Sequence, residues 1–244
     1  MRSYCLSDTG RARTMNQDYV FVSERPIGKL PNLFVVADGM GGHSAGDRAS
    51  SYAVEVFVAS VRANRERSPI KVMRTAVEAA NDAVYHEART VEEYQGMGTT
   101  IVAATLVRDT LYVVNVGDSR LYLAGDQIRQ ITRDHSLVEE MVRMGRLTRE
   151  ESLSHPNRNI ITRAVGVKET VDVDGFETKV DIRDVILMCT DGLTNMVSEE
   201  QIRDILRQEK NLQKAAELLV DTANYHGGRD NITVLLASRK NEVK

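Results

Sequence analysis

A chain of 244 residues with 42% hydrophobic and 27% charged residues has the composition of a globular protein with a sizeable core. No run approaches the ~20 apolar residues that cross a bilayer, so membrane insertion is not expected. A formal charge of −3 and a pI near 6.0 exclude nucleic acid or anionic lipid as a partner held by bulk electrostatics.

The first eight residues, Met1 to Asp8, carry no apolar leader-type stretch, and the two cysteines, Cys5 and Cys189, lack zinc-type spacing. A reducing cytoplasm is the expected compartment. Residues 8–18 form a polar turn that contains Arg13 and ends at Asp18, ahead of a strand over 18–24. Arg13 reads either as a bidentate fork for phosphate oxygens or as part of a solvated basic loop.

A second strand, 33–37, runs into Asp38-Gly39-Met40-Gly41-Gly42-His43. Asp-Gly is ordinarily a turn, but the preceding run is too apolar for an exposed hairpin, so this carboxylate emerges from a core. Gly39 lets another group approach its backbone, whose carbonyl could serve as a ligand. No Gly-Lys-Ser/Thr follows, which argues against a nucleotide P-loop. His43 reads either as a general acid or as a helix-start residue. Ser44 as N-cap and Asp47 in the first turn predict a helix over 45–63, and Ser68-Pro69 opens another to about Thr90.

Strands at 100–107, 111–116, 119–124 and 127–131, separated by Asp109-Thr110, Gly117-Asp118 and Gly125-Asp126, read as an antiparallel meander. Asp118 ends the second of them. The polar stretch 132–167 carries short helical patterns near 135–144 and 148–153, and reads as a lid or as an inert surface excursion. His135 reads chiefly as a structural hydrogen-bonding residue. Strands follow at 171–178 and 185–190, the latter ending at Asp191-Gly192. A helix capped by a Ser198–Gln201 box and another over 211–225 lead to Asp230-Asn231, which opens a strand over 232–238. With no repeats and no linker, one domain over 1–244 is expected. Helices come in pairs between groups of strands, which predicts α+β layers on antiparallel sheets.

Asp38, Asp118, Asp191 and Asp230 each stand at the end of an apolar strand. If those ends meet, they form an all-oxygen pocket suited to Mg²⁺ or Mn²⁺. A metal pair makes water a nucleophile at neutral pH, and no serine elbow or activated cysteine competes for that role.

In order along the chain, Arg13 with Asn16-Gln17-Asp18, Asp38-Gly39-Met40-Gly41-Gly42-His43, Gly98-Thr99-Thr100, Val116-Gly117-Asp118-Ser119-Arg120, Asp134-His135-Ser136, Asp191-Gly192-Leu193 and Gly228-Arg229-Asp230-Asn231-Ile232-Thr233 resemble the motifs of the PPM family, the protein phosphatase 2C-like serine/threonine phosphatases, in its compact bacterial branch. The resemblance implies a β-sandwich of two antiparallel sheets with helix pairs on both outer faces. It implies that Asp38 bridges two metals, with the Gly39 carbonyl on the second, and that Asp191 and Asp230 complete the first, these three aspartates forming the catalytic core. Asp118 with Asp191 would hold a third ion, Arg13 the substrate phosphate, and Asp18 a place behind the ligands. The segment 145–167 would be a flap. The implied reaction is hydrolysis of phosphoserine and phosphothreonine in proteins by a metal-bridging hydroxide, in a cytoplasmic monomer opposing a membrane-anchored bacterial Ser/Thr kinase. Two departures matter. Met40 replaces a histidine that many relatives use as acid, leaving His43, metal-bound water or no acid at all, and Gln17 replaces a glutamate of some relatives. The rival readings are a phosphoprotein-binding pseudophosphatase, against which the intact aspartates stand, and a two-metal nuclease or nucleotide phosphohydrolase, against which the acidic charge stands.

Overall fold

The long apolar runs of this chain are strands buried on both faces, and they stack into two sheets. The computed structural model describes residues 1–42 and 45–239. In chain order the elements are β1 (Arg2–Asp8), β2 (Asp18–Ser23), β3 (Leu33–Met40), α1 (Ala45–Ala63), α2 (Pro69–Thr90), a 3-10 turn (Glu92–Tyr94), β4 (Gly98–Thr99), β5 (Ile101–Val107), β6 (Thr110–Val116), β7 (Arg120–Ala124) and β8 (Ile128–Gln130). Then come α3 (Leu137–Arg143), α4 (Arg149–Ser154), β9 (Asp174–Lys179), β10 (Val185–Cys189), α5 (Asp191–Thr194), α6 (Glu199–Gln208), α7 (Leu212–Tyr225) and β11 (Ile232–Ser238). One sheet has the order β2-β3-β5-β6-β9, with β4 paired to β3, and the other β1-β11-β10-β7-β8. The pairings are antiparallel.

Side-chain alternation explains the layering. Along β3, Leu33, Val35 and Ala37 face α1 and α2, while Phe34 and Val36 face the other sheet. Along β10, Ile186 and Met188 face the first sheet, while Leu187 and Cys189 face the helical layer of α6 and α7. Strands buried on both faces need no polar alternation, which is why they read as unbroken apolar runs. Three apolar layers result, and the architecture is α-β-β-α, the α+β sandwich expected. Phe57 of α1 is fully buried in the layer between the first sheet and the α1–α2 pair.

The structure corrects two expectations and adds a strand, β1, that the sequence reading did not predict. The stretch 100–131 is not one meander: β6 pairs with β5 and β9, β7 pairs with β10 and β8, so residues 117–119 carry the chain between sheets. β1 carries no unbroken apolar run, because Tyr4 and Leu6 face one apolar layer and Cys5 the other from a half-exposed edge. Asp191 opens a short helix instead of a simple turn. The Ser198–Gln201 capping box is formed. Ser68 occupies the cap position of α2 without a side-chain bond. Ser44 and His43 lie outside the described residues.

Candidate metal and phosphate site

Antiparallel pairing brings the acidic strand ends to one end of the sandwich. Asp38 in β3 stands directly across the ladder from Asp18 at the start of β2. Asp191 follows β10 and Asp230 precedes β11, neighbours in the opposite sheet. Asp118 sits in the crossing from β6 to β7. Asp38, Asp118, Asp191 and Asp230 line one cleft of about 320 Å³ together with Arg13, Gly39 and Met40, and with Asn159 and Ile161 from the 145–167 segment. A larger cavity of about 880 Å³ opens at the other end of the strands, among Arg2, Ala124, Val185 and Arg239, and gathers none of these aspartates.

Backbone bonds and neighbouring polar side chains position the acidic residues. The Asp38 N–H donates to Thr100 Oγ1 at 2.9 Å, and Thr100 in turn shares a hydrogen bond of 2.8 Å with Ser119. The Asp38 carbonyl accepts from the Thr99 hydroxyl and the Thr100 N–H, both at 2.9 Å. Asn195 donates to Asp191 Oδ2 at 2.8 Å. Asn231 braces the loops around Asp230, accepting the Gln17 N–H and donating to the carbonyls of Thr9 and Met15. Asp118 hangs on Gly117, whose φ of +108° and contact with the Thr100 side chain admit only glycine. Asp18 lies behind the cleft. Its Oδ2 accepts from Thr190 at 2.9 Å and Thr233 at 2.6 Å, while its Oδ1 is buried with no partner.

Like charges facing each other across a ladder oppose pairing, and buried anions need a counter-charge. Burial first, with neighbouring carboxylates adding to it, pushes the Asp38 carboxyl well above its ordinary range, Asp118 up to about 8, Asp18 to about 7 and Asp191 to about 6. Such a cluster holds either protons or cations. Of the nearby arginines, Arg120 is committed to Asp134 at 2.6 Å and to the Tyr122 hydroxyl. Arg13, half-exposed, donates to Asp230 Oδ2 at 2.9 Å. Oxygen-only donors and the unpartnered Asp18 Oδ1 fit a hard divalent cation. Among the described residues no three carboxylate, imidazole or thiol groups close around one point by themselves, so an ion here would keep water in part of its shell, as Mg²⁺ does.

The structure thus gathers Arg13, Asp38, Gly39, Asp118, Asp191 and Asp230, with Asp18 behind them; His43 lies outside the described residues. Sequence reasoning gave no role to Thr100, Thr190, Thr233 or Asn195, although each is within four residues of an acidic position or, for Thr100, pairs with it across strands. His135 makes the structural hydrogen bonds expected of it, and they hold the turn before Asp118: its Nδ1 accepts the Gly117 N–H at 3.0 Å. Burial, then the charge of Arg163, hold its imidazole below the ordinary histidine range.

The family model for protein phosphatase 2C matches residues 23–232. A serine/threonine phosphatase, stp, of Listeria welshimeri is 40% identical over 244 residues, covering 98% of this chain and 96% of its own. The crystal structure of the serine/threonine phosphatase Stp1 from Staphylococcus aureus superposes with a TM-score of 0.90 at 34% identity, over 98% of this chain and 94% of that one. The catalytic domain of the serine/threonine protein phosphatase PstP, in complex with two manganese ions, gives a TM-score of 0.85 at 33% identity, with 97% of each chain covered.

Proposed function

The chain belongs to the protein phosphatase 2C family and is a metal-dependent serine/threonine protein phosphatase, and from that premise we propose how its residues divide the work. The observation that carries the proposal is the meeting of carboxylates from both sheets beside Arg13 in one cleft. Asp38, the Gly39 carbonyl, Asp191 and Asp230 would hold two divalent cations, Asp38 contributing to both, Gly39 to the second, and Asp191 and Asp230 to the first. Asp118 with Asp191 would hold a third, weaker ion. Mn²⁺ and Mg²⁺ both suit these oxygen donors. When bound, such ions supply Lewis acidity and a water acidic enough to attack phosphorus at neutral pH.

The protein's own part is to place and neutralise charge. Asp18, anchored by Thr190 and Thr233, orients water at the cluster from behind. Arg13, which donates to Asp230 here, would present its fork to two oxygens of the substrate phosphate and stabilise their growing charge. Met40 borders the cleft and has no proton to give, so the leaving serine or threonine oxygen takes its proton from water or from His43. The segment 145–167 covers the cleft as a flap within a single domain over 1–244. The substrates are phosphorylated proteins in the cytoplasm, a cognate Ser/Thr kinase among them, and the enzyme acts as a monomer.

A phosphothreonine peptide incubated with the protein and Mn²⁺ should release phosphate, and chelator should stop it. Metal-independent release, or none, would overturn the reading. Asp38→Asn serves as the control that ties the activity to this cleft.

A further inference from the structure

One residue holds both backbone groups of Gly117, the glycine beside Asp118. The Gly117 N–H donates to His135 Nδ1 at 3.0 Å, and the Gly117 carbonyl accepts the His135 N–H at 3.0 Å. With Nδ1 accepting, the ring proton lies on Nε2, which faces Asp174 Oδ2 at 3.3 Å. Arg163 closes the far side: its Nη1 lies 3.0 Å from the same Nε2, donates to Asp174 Oδ1 at 2.8 Å and to the Asp172 carbonyl at 3.1 Å, and so ties the ring to residue 163 directly as well as through Asp174. The backbone of His135 is bound to the same neighbourhood: its carbonyl accepts the Thr162 N–H at 2.8 Å, and Leu137 donates to the Ile160 carbonyl at 2.8 Å. On that returning limb, Asn159 and Ile161 border the acidic cleft.

His135 is 6% exposed, so the ring is enclosed and has no solvent-filled space in which to turn. One edge grips the turn that carries Asp118, and the other grips the base of the limb that borders the cleft. Either set of bonds alone would satisfy a buried histidine. Together they make the imidazole a strut between two parts of the site that are separated in sequence. We propose that His135 is a positioning residue through which the limb at 160–163 sets the placement of the Asp118 carboxylate, and with it the affinity of the cation that Asp118 holds. The inference rests on the reading of Asp118 as a cation ligand.

The test is a titration of Mn²⁺ into the whole, chelator-stripped protein, with free ion followed by electron paramagnetic resonance. Asp118→Asn identifies the binding step that belongs to Asp118. Arg163→Met and Asp174→Asn cut the far side of the strut without touching Gly117. Each should weaken the Asp118 step on the order of tenfold and leave the other steps within about twofold, the size expected for an outer hydrogen bond to a metal ligand. His135→Asn places an amide oxygen where Nδ1 stood, so it keeps an acceptor for Gly117 and loses the link to Asp174. It should group with Arg163→Met; grouping with the unmodified protein would reduce His135 to a prop for the turn and overturn the coupling. Unchanged titrations for both Arg163→Met and Asp174→Asn would overturn it too, even where a His135 variant fails to fold. If Asp118→Asn itself leaves every step intact, the reading of Asp118 fails, and that outcome is distinct from failure of the strut alone.

Discussion

Burial first, then Asp18 across the ladder and Asp191, Asp118 and Asp230 nearby, pushes the Asp38 carboxyl well above its ordinary range, and a cation held there would relieve all of these at once. Asp38→Asn should therefore lower turnover by more than the ~10–100-fold that loss of an outer hydrogen bond to a metal ligand costs. Phosphate release from a phosphothreonine peptide, with Mn²⁺ binding measured alongside, checks it, and near-normal turnover would place the chemistry elsewhere. Thr190→Val removes one of two hydroxyl donors from Asp18, making its charged form harder to hold, so Mn²⁺ affinity should fall by about tenfold. Calorimetric titration would read this, and unchanged affinity would make the Thr190 bond incidental. The acidic positions were legible because each ends a run too apolar to be a surface turn. The hydroxyls that support them were not, since a threonine inside a strand looks the same whether it faces a neighbour's methyl or a carboxylate three sequence segments away.

At the scale of elements, the start of α5 is the tightest join in the site. Gly192 lies against the Asn231 carbonyl so closely that a Cβ there would occupy the same space, and Asn231 is the residue that braces the loops around Asp230. Gly192→Ala should push β10 and β11 apart at their acidic ends, lowering both melting temperature and Mn²⁺ affinity; a variant stable and metal-binding like the parent would show that the ends have slack. Helix boundaries were readable from caps and prolines, as at Pro69 and Ser198. The switch between sheets at residues 117–119 was not. A glycine-containing turn between two strands looks like a hairpin, whereas here it carries the chain to the other sheet and is held there by His135, a contact from the next segment that the local sequence does not announce.

For the molecule as a whole, the acidic cluster links stability to pH in a direction opposite to a salt-bridged protein. Asp118 and Asp18 carry folded-state values of about 8 and about 7 against an ordinary 3.8. Without metal, the folded chain therefore holds protons that the unfolded chain has released, and stability falls as pH rises from about 4 to about 8. In chelator, the melting temperature should drop across that window, and added Mn²⁺ should raise it most at the alkaline end, with proton release on binding. A metal-free melting temperature that climbs from pH 5 to pH 8 would contradict the cluster's electrostatics. One further consequence concerns the order in which the chain is made. β1 pairs with β11, residue 2 against residue 238, and Asp230 arrives just before that final strand. A ribosome-bound chain that stops short of residue 230 has neither the seam between β1 and β11 nor Asp230 of the acidic cluster. The first strand therefore waits for residues 232–238 to be made, and a copy halted before them lacks the assembled cleft and should not strip phosphates.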